Sequence, residues 1–447
     1  MAMKLFCTML LFFFLLFPLT LSSQHNQNAN ISLSFTLTPL PLPTNTSSKL
    51  LSTSLFFSKK PPSPSSSSSP SSYNFKSSFK YSMALIVSLP IGTPPQLQQM
   101  ILDTGSQLSW IQCHKKTRQP PPTPTPSFDP SLSSTFSVLP CTHPVCKPQI
   151  PDFTLPTSCD QNRLCHYSYF YADGTYAEGN LVREKFTFSP SVITPPLILG
   201  CATESSDERG ILGMNLGRLS FSSQAKITKF SYCVPTRRTR PGPTPTGSFI
   251  LGNNPSSAGF KYVQMLTFRD SQRMPNLDPL AYTVALQGIR IGGKKLNISP
   301  AVFKPDAGGS GQTMVDSGSE FTYLVNEAYE KVREEVVRIV GPRMKKGYVY
   351  GDVADMCFDR GDVVEIGRLI GGMVFEFEKG AEIVVPKERV LADVGGGVHC
   401  VAIGSSEKLG AASNIVGNYH QQNYWVEFDL ANRRVGFGRA VCSGLGK

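Results

Sequence analysis

The sequence predicts an all-β fold made of two related halves. From Tyr81 onward, short apolar stretches alternate with Gly, Pro and Asp, which is typical of strands joined by turns. The chain has 37 Gly and 36 Pro among 447 residues, and 40% of its residues are hydrophobic, which is enough for a substantial core. A motif that occurs twice divides this body into two parts. The length allows two or three domains of ordinary size.

Residues 1–23 predict a cleaved secretory signal peptide. Lys4 precedes an apolar run over residues 5–17, and the small residues Ser22 and Ser23 follow. A membrane anchor is the alternative, but the run is shorter than the ~20 apolar residues that span a bilayer. We therefore expect entry into the secretory pathway without a membrane anchor. Secretion is the default, and residence in the endoplasmic reticulum lumen or the vacuole stays open.

Residues 24–80 form a segment whose composition cannot fold alone. Residues 61–72 are only Pro and Ser, and glycosylation sequons begin at Asn30 and Asn45. The segment is either a flexible stalk or a propeptide. It contains Lys but no Asp, Glu or Arg, so a propeptide would suit an acidic site in the body. A third sequon begins at Asn297, inside the body.

The net charge argues against a nucleic-acid partner. The chain carries 43 Lys and Arg against 32 Asp and Glu, a net charge of +11. Residues 1–80 contribute +6 of this charge, which leaves +5 for residues 81–447. A body this mildly basic, in a chain with only 17% charged residues, does not require a nucleic-acid groove, and we expect none.

The cysteines predict disulfides. The chain has 11 Cys, of which Cys7 lies in the predicted signal peptide, so ten remain for up to five bridges in a secreted protein. A zinc site is the competing interpretation, but the sequence contains no paired CxxC clusters and no HExxH motif. We therefore expect disulfides, no metal and no cofactor.

One helix stands out among the strands. Apolar residues recur at helical spacing from Ala328 to Val340, and Asn326 is a suitable N-cap. Gly341 and Pro342 are expected to end this helix.

The twice-occurring motif is the most informative feature of the sequence. Residues 100–106 (MILDTGS) are matched by residues 313–319 (TMVDSGS), so each half has an apolar strand that leads into Asp-Thr/Ser-Gly-Ser. Each copy has a later apolar segment ending in Gly, GILG at 210–213 and NIVG at 414–417. A single such motif means little, whereas two copies with similar spacing predict one aspartate and one crossing strand from each half.

This arrangement predicts an aspartate pair. If the halves pack about a pseudo-twofold axis, Asp103 and Asp316 meet, and two carboxyls so close share one proton over a range of pH. Shared protonation in aspartic proteases is the established example of this effect. The charged carboxylate can then activate a water and the protonated one can donate to a substrate carbonyl, with an acidic pH optimum. The alternative role for each Asp alone is a turn residue that caps its own backbone.

A hairpin is the third predicted part of the site. Tyr171 ends an aromatic stretch and precedes Asp173-Gly174, a preferred corner of a tight hairpin. Such a hairpin could close over a cleft, with Tyr171 positioning substrate and Trp110 supporting that tyrosine. The alternative is an ordinary surface hairpin, with Trp110 as a core residue.

From Tyr81 to Cys442 the chain resembles the pepsin-type aspartic endopeptidases, in particular their nepenthesin-like branch in plants. The resemblance is carried by SWIQCH at 109–114, YSYFYADG at 167–174 and GQTMVDSG at 311–318. It implies a bilobal, pepsin-like double β-barrel with a few short helices and a central cleft. The N-terminal lobe would comprise residues 81–270 and the C-terminal lobe residues 271–447.

The resemblance also implies roles for individual residues. Asp103 and Asp316 would be the catalytic dyad, and the flap would position substrate through Tyr171, Gly174 and Thr175. Residues expected to support the dyad are Thr104, Gly105, Ser106, Trp110, Ser317, Gly318 and Ser319. The expected partners are protein or peptide substrates in extended conformation, cut between bulky apolar residues, and the enzyme would be a monomer.

The chain departs from the family in its cysteines. Nepenthesins have six disulfides, some in a cysteine-rich insert after the first Asp, whereas residues 114–126 contain no cysteine here. The pairs expected from the resemblance are Cys357 with Cys400 and Cys233 with Cys442. Family zymogens block the cleft with a basic propeptide, so residues 24–80, with Lys76 and Lys80, are expected to do the same.

Three other functions would require different features in the sequence. A non-catalytic inhibitor or binding protein of the xylanase-inhibitor-like kind would have a damaged dyad or flap, whereas Asp103, Asp316 and Tyr171 are all present. A serine hydrolase of the usual kind needs G-x-S-x-G, which is absent from the sequence. A structural cell-wall protein would need far more of the chain to be rich in Pro and Ser.

Overall fold

The computed structural model describes residues 32–39, 84–113, 127–146, 157–171, 174–237, 244–268 and 274–444. The predicted signal peptide, Asn30, Asn45 and most of the predicted propeptide lie outside these residues. Ala172 and Asp173 at the hairpin corner also lie outside them.

Strands dominate the described chain. The first fourteen strands are β1 (Leu33–Pro39), β2 (Leu85–Ile91), β3 (Gln96–Asp103), β4 (Trp110–Gln112), β5 (Ser137–Val138), β6 (Thr157–Cys159), β7 (Cys165–Phe170), β8 (Tyr176–Glu184), β9 (Thr187–Ser189), β10 (Val192–Ile193), β11 (Leu197–Ser205), β12 (Gly210–Gly213), β13 (Lys229–Cys233) and β14 (Gly247–Leu251). The other fourteen are β15 (Lys261–Gln264), β16 (Leu286–Ile291), β17 (Lys294–Lys295), β18 (Thr313–Val315), β19 (Thr322–Leu324), β20 (Cys357–Asp359), β21 (Met373–Phe377), β22 (Glu382–Val385), β23 (Leu391–Asp393), β24 (Val398–Val401), β25 (Ile403–Ser405), β26 (Asn414–Val416), β27 (Tyr424–Asp429) and β28 (Arg434–Arg439).

Helices are short and few. The α-helices are α1 (Phe221–Gln224), α2 (Asn326–Val340) and α3 (Val363–Ile370). Single 3-10 turns occur at Pro130–Leu132, Pro144–Cys146, Ser257–Gly259, Pro300–Phe303, Gly341–Arg343, Arg360–Asp362, Glu378–Gly380, Lys387–Arg389 and Glu407–Leu409. In the part of the chain that the structure describes, no helix combines the length and apolar character needed to cross a membrane.

Helix α2 corrects one detail of the sequence prediction. The helix ends at Val340, as Gly341 and Pro342 indicate, but Asn326 is already inside it. The N-cap is Val325, whose side chain makes no capping hydrogen bond. Asn326 is therefore not the N-cap. The helix begins directly after β19, which ends at Leu324. The position of this strand outweighs the preference of Asn for the N-cap.

The strand pairing confirms the predicted all-β class. The largest sheet has 15 strands in the order β15-β28-β27-β13-β14-β1-β2-β3-β12-β4-β11-β8-β7-β6, with β5 beside β8. Smaller sheets have the orders β10-β9, β17-β16-β21-β22, β18-β26-β19-β25 and β20-β24-β23. These pairings follow open paths, and the described strands form no closed barrel. Strands from both predicted lobes share the large sheet, since β27 pairs with β13 and β28 with β15.

Strand β1 comes from the predicted propeptide and lies inside the large sheet. It pairs antiparallel with β14 from Leu33 to Leu37 and with β2 from Leu37 to Pro39. Leu37 is fully buried, and the Phe35 ring centroid lies 5.5 Å from that of Phe188. Residues Leu33–Pro39 therefore add a strand to the sheet of the body.

The main core joins the two halves. One buried cluster contains Leu102 and Val315, the residues immediately before the two motif aspartates. A second cluster surrounds Trp110 and the tyrosines of β7, and a third surrounds Tyr323 in the other half. The aspartates are therefore carried on strands whose apolar residues are anchored in one shared core.

Five disulfides join all ten cysteines outside the signal region. They are Cys113–Cys201, Cys141–Cys159, Cys146–Cys165, Cys233–Cys442 and Cys357–Cys400. The last two are the pairs named from the resemblance. The bridge between Cys233 and Cys442 spans 209 residues and ties the chain end to β13.

If β1 is part of the folded protein, Leu37→Ala in the unprocessed chain is expected to lower the free energy of unfolding by about 2–5 kcal/mol, because it leaves a cavity in the core. Denaturant unfolding measures this change. Ser34→Ala, on the exposed side of the same strand, is the matched control and should change stability by less than about 0.5 kcal/mol. Equal stability of the two variants would show that β1 does not pack in the sheet.

Candidate active site

Two crossing strands hold the motif aspartates. In the first half, β12 runs parallel to β3 and places Gly213 opposite Asp103. The Met214 N–H then donates to the Asp103 carbonyl at 2.9 Å. The same strand β12 contacts β4 antiparallel, at Ile211 and Trp110. The predicted segment GILG is thus a strand inserted between the two strands that flank the motif turn.

The second half repeats this arrangement. Strand β26 runs parallel to β18, and the Asp316 N–H donates to the Val416 carbonyl at 3.1 Å. It contacts β19 antiparallel at Ile415 and Tyr323. The internal repeat in the sequence therefore corresponds to a repeated structure around each aspartate.

Gly213, which ends β12, and Gly417, which directly follows β26, are required by close backbone approach. A Cβ at Gly213 would lie 2.6 Å from the Gln107 carbonyl oxygen, and one at Gly417 would lie 2.0 Å from the Phe321 carbonyl oxygen. Any side chain at either position would push the crossing strand away from its motif turn. This close approach explains why both segments end in Gly.

Reciprocal hydrogen bonds join the two motif turns across the halves. The Thr104 N–H donates to Ser317 Oγ at 3.1 Å, and the Ser317 N–H donates to Thr104 Oγ1 at 2.9 Å. The Ser317 hydroxyl in turn donates to the Leu102 carbonyl at 2.8 Å. Thr104 and Ser317 are buried, so these bonds are made without competition from water. They bring the two turns that carry the aspartates into direct contact.

Each carboxyl accepts hydrogen bonds from its own turn. Asp103 Oδ1 accepts from the Gly105 N–H at 2.9 Å, and Asp103 Oδ2 accepts from the Ser106 hydroxyl. In the other half, Asp316 accepts from the Gly318 N–H at 3.0 Å and from the Ser319 N–H at 2.9 Å. These bonds fix the orientation of both carboxyls.

Thr104 also contacts the opposite carboxyl. Its Oγ1 lies 3.3 Å from Asp316 Oδ1. The residue after one aspartate therefore touches the other aspartate. The predicted supporting residues of both turns are all brought together around the pair.

The environment of Asp103 favours its protonated form. Burial raises the pKa of this carboxyl well above its usual value, and Coulombic repulsion from Asp316 raises it further. The hydrogen bonds from Ser106 and Gly105 lower the pKa, but they do not offset burial. The two carboxyls therefore interact strongly enough to titrate as a pair.

The flap residues lie where the hairpin prediction places them. Strands β7 and β8 form the hairpin, the Tyr171 N–H donates to the Thr175 carbonyl at 2.9 Å, and the Gly174 N–H donates to the Tyr171 carbonyl at 3.0 Å. Gly174 has φ +83°, a conformation that favours glycine. Trp110 Nε1 donates to the Tyr171 hydroxyl at 2.7 Å. The predicted link between tryptophan and flap tyrosine is thus a direct hydrogen bond.

Sequence reasoning missed several matched residues. Ser109 and Thr322 lie six residues after the two aspartates, and their hydroxyls accept from Gly213 N–H at 3.0 Å and from Gly417 N–H at 3.3 Å. Tyr323 occupies in the second half the position that Trp110 occupies in the first. Extending the motif alignment by four residues would have found these pairs.

Asn215 and Asn418 are a further matched pair. Asn215 Nδ2 donates to the Gly105 carbonyl at 3.2 Å, and Asn418 Nδ2 donates to the Ser317 carbonyl at 3.0 Å. Each asparagine follows a crossing strand and fixes a motif turn by a hydrogen bond to one of its carbonyls. No local sequence pattern singles them out, because their partners lie about a hundred residues earlier.

The predicted glycosylation site at Asn297 lies apart from the aspartate turns in the sequence. Asn297 is exposed near β17, and the sequon residue Ser299 caps the turn at Pro300–Phe303.

Comparisons with known proteins agree with this geometry. The family model "Xylanase inhibitor N-terminal" matches residues 85–253, and "Xylanase inhibitor C-terminal" matches residues 281–439. Aspartic proteinase PCS1 of Arabidopsis thaliana is 37% identical over 83% of this chain and 85% of its own. Aspartic proteinase nepenthesin-1 of Nepenthes gracilis is 33% identical over 80% of this chain and 78% of its own.

Solved structures show the same fold at low identity. The crystal structure of edgp has a TM-score of 0.57 at 16% identity and covers 80% of this chain and 92% of its own. Basic 7S globulin from soybean has a TM-score of 0.57 at 16% identity and covers 81% of this chain and 96% of its own.

The fold and the paired motif turns define a pepsin-type aspartic peptidase. The chain belongs to the plant aspartic proteinases, in their nepenthesin-like branch.

The hydrogen bonds between the two motif turns predict a specific stability change. Thr104→Ala removes the acceptor for the buried Ser317 N–H and should lower the free energy of unfolding by about 1–3 kcal/mol. Thr104→Ser retains the hydroxyl and should keep most of the stability, as measured by denaturant unfolding. Equal losses in the two variants would mean that the methyl group, and not the hydrogen bond, carries the effect.

Proposed function

We propose that Asp103 and Asp316 together activate the water with which this endopeptidase hydrolyses peptide bonds. The observation that supports the proposal is the pair of reciprocal hydrogen bonds between Thr104 and Ser317, which join the two turns that carry the buried carboxyls. No cofactor is needed for this chemistry, because the two carboxyls supply both the base and the acid.

The proposed reaction uses one shared proton. The ionised carboxyl removes a proton from the water, whose oxygen attacks the scissile carbonyl carbon, and the protonated carboxyl donates to the carbonyl oxygen. When the resulting tetrahedral diol collapses, the newly protonated carboxyl gives its proton to the amide nitrogen and the other carboxylate takes a proton from a diol hydroxyl. The C–N bond breaks, the amine and the carboxylic acid leave, and the pair again holds one proton. No covalent enzyme intermediate forms. The raised pKa of Asp103 supports this division, because it keeps one proton on the pair.

The substrate is proposed to be a protein or peptide in extended conformation, cut between bulky apolar residues, and the enzyme is proposed to act as a monomer. The flap supports this proposal. Tyr171 is held by Trp110 at the end of β7, and the Tyr169 ring packs edge-on against it at 4.6 Å between centroids. A flap tyrosine held in this way can position a substrate and exclude water from the reaction.

A non-catalytic inhibitor is less well supported. The matched family models carry the name of xylanase inhibitors, but the curated relatives at 31–37% identity are named proteinases or proteases. An inhibitor would also have no need for two aspartates on turns that hydrogen-bond to each other across the halves.

The pH dependence follows from the direction of the Asp103 pKa shift. Because the folded-state pKa is raised, the pair keeps its shared proton until the pH rises through that raised value, and activity is lost above it. The contribution of Asp103 to the free energy of unfolding also decreases as the pH rises. The contribution of Asp103 is fully present below the ordinary aspartate pKa and is lost as the pH rises through the raised pKa.

The test is Asp103→Asn, assayed at acid pH on a denatured protein with and without pepstatin. We expect kcat to fall by at least about 10³-fold, since Asn can neither hold nor release the shared proton. Asp306→Asn is the matched control, because Asp306 is an exposed aspartate that also accepts backbone hydrogen bonds in a turn. Undiminished proteolysis by Asp103→Asn would overturn the proposed site, and inactive wild-type protein would favour the inhibitor.

We also propose that the chain enters the secretory pathway and that residues 24–80 act as a basic propeptide released at acid pH. Five disulfides support an oxidising compartment. Because the segment includes β1, its complete release requires both β1 ladders to open, in addition to loss of charge attraction.

The charge part of this proposal has its own test. Changing Lys76 and Lys80 to Gln together should raise proteolysis by the unprocessed chain at neutral pH, because attraction to the cleft carboxylates is weaker. Changing Lys345 and Lys346 to Gln, far along the chain, is the control for total charge. Equal latency in all three proteins would show that these lysines do not hold the propeptide.

A further inference from the structure

We propose that Gln421 is a positioning residue for peptide hydrolysis, whose side-chain amide fixes the backbone of Asp316 and thereby the position of its carboxyl. This inference rests on the proposed function, because the position of Asp316 matters for the rate only if the two aspartates act together. Gln421 lies 105 positions after Asp316 in the sequence, so no local pattern connects the two residues.

Matched hydrogen bonds identify equivalent residues after the two crossing strands. The Asn215 N–H donates to the Ser106 carbonyl at 3.1 Å, and the Asn418 N–H donates to the Ser319 carbonyl at 2.8 Å. Ser106 and Ser319 occupy the same place in the two motifs, since each is the serine that ends Asp-Thr/Ser-Gly-Ser. Asn215 and Asn418 are therefore equivalent positions of the two halves.

The link between the glycine of a crossing strand and this asparagine is one residue shorter in the second half. In the first half, Met214 lies between the two, and its N–H donates to the Asp103 carbonyl at 2.9 Å. In the second half, Asn418 directly follows Gly417. The sequence therefore has no equivalent of Met214 there. Because Asp316 is buried, its carbonyl requires a donor from another part of the chain.

The side-chain amide of Gln421 supplies this donor. Its Nε2 donates to the Asp316 carbonyl at 3.1 Å and to the Val416 carbonyl at 2.8 Å. Its Oε1 accepts from the Tyr232 hydroxyl at 2.7 Å. Gln421 and Tyr232 are fully buried, so water does not compete for these bonds. Both amide hydrogens and the amide oxygen are used, and the reversed amide would place its oxygen against two carbonyls.

The peptide group between Asp316 and Ser317 is consequently held at both ends. Its carbonyl is bound by Gln421, and its N–H donates to Thr104 Oγ1 at 2.9 Å. A rotation of this peptide would change the ψ angle of Asp316. That angle sets the carboxyl relative to the two N–H groups of its own turn that bind it. The amide of Gln421 therefore restrains the orientation of the carboxyl through the backbone.

Loss of this amide is expected to change kcat more than KM. The three partners of the amide, Asp316, Val416 and Tyr232, are all buried, and none of them belongs to the flap. Substrate binding is therefore expected to be retained. Misplacement of a catalytic group by about 1 Å can reduce the rate by about 10²-fold. Gln421 thus acts on the reaction through Asp316.

The test compares Gln421→Met with Gln422→Met. Methionine has nearly the length of glutamine and removes the amide from either position. Gln422 is the matched control, because it is also buried and its Nε2 donates to a backbone carbonyl, that of Tyr419, at 2.8 Å. The constants kcat and KM are measured at acid pH with a peptide that has bulky apolar residues at the cleaved bond. The temperature is one at which circular dichroism shows each variant to be folded.

We expect Gln421→Met to lower kcat by about 10- to 100-fold and to leave KM within about twofold of the wild-type value. Gln422→Met should keep kcat within about threefold of the wild type, even where the two variants lose similar stability. Equal kcat values in the two variants, or an effect on KM alone, would overturn the inference.

A second variant, Tyr232→Phe, removes the hydroxyl that orients the amide and decides the question if Gln421→Met does not fold. It should lower kcat by at least about threefold, and adding it to Gln421→Met should cause no further loss, because both changes act through one amide. Tyr329→Phe is its control, since the buried Tyr329 also donates its hydroxyl to a side chain, that of Asp355. It should keep the wild-type kcat, and an unchanged kcat in Tyr232→Phe contradicts the inference.

These outcomes separate the inference from the proposed function. If Gln421→Met and Tyr232→Phe are as active as the wild type while Asp103→Asn is inactive, the positioning role is wrong and the aspartate pair stands. If the wild type cleaves no peptide, the proposed function fails, and the positioning role fails with it.

Discussion

The reciprocal hydrogen bonds between Thr104 and Ser317 are the contact on which the rest of the site depends. Each bond pairs a buried backbone N–H of one motif turn with a side-chain hydroxyl of the other. Unpaired, each buried donor would cost about 1–3 kcal/mol, so the two turns are most stable when they are joined. In the joined turns, burial and repulsion from Asp316 favour the protonated form of Asp103. The chemistry follows from a packing constraint between the two halves.

The two halves meet this packing constraint with two copies of one local structure. In each half a crossing strand lies against the motif turn. A glycine at the end of this strand, or directly after it, leaves room for the turn. A following asparagine donates a hydrogen bond to a carbonyl of the turn. The two halves differ in the surroundings of the aromatic residue that lies seven positions after each aspartate. Trp110 binds the flap tyrosine, whereas its counterpart Tyr323 lies in a separate buried cluster.

Strand β1 links folding to processing. It fills an interior position of the large sheet between β14 and β2, although the residues after it include a Pro/Ser tract that cannot fold alone. The strand binds through backbone ladders on both sides and through the buried Leu37. Backbone ladders do not titrate, so in the proposed release of the propeptide acid would weaken its charge attraction and leave the β1 ladders intact. Under that proposal, cleavage after β1 and departure of β1 would be separate events.

The sequence by itself determined the all-β class, the two motif aspartates, the crossing strands, the flap tyrosine and the end of helix α2. These features are encoded in short patterns with regular spacing, and the repeat doubles their information. Only the tertiary structure decided that Leu33–Pro39 joins the sheet, that Val325 precedes the helix, and that Asn215 and Asn418 bind the motif turns. Each of these depends on partners far away in the chain, and a pairing between distant residues leaves no trace in the local pattern of either one.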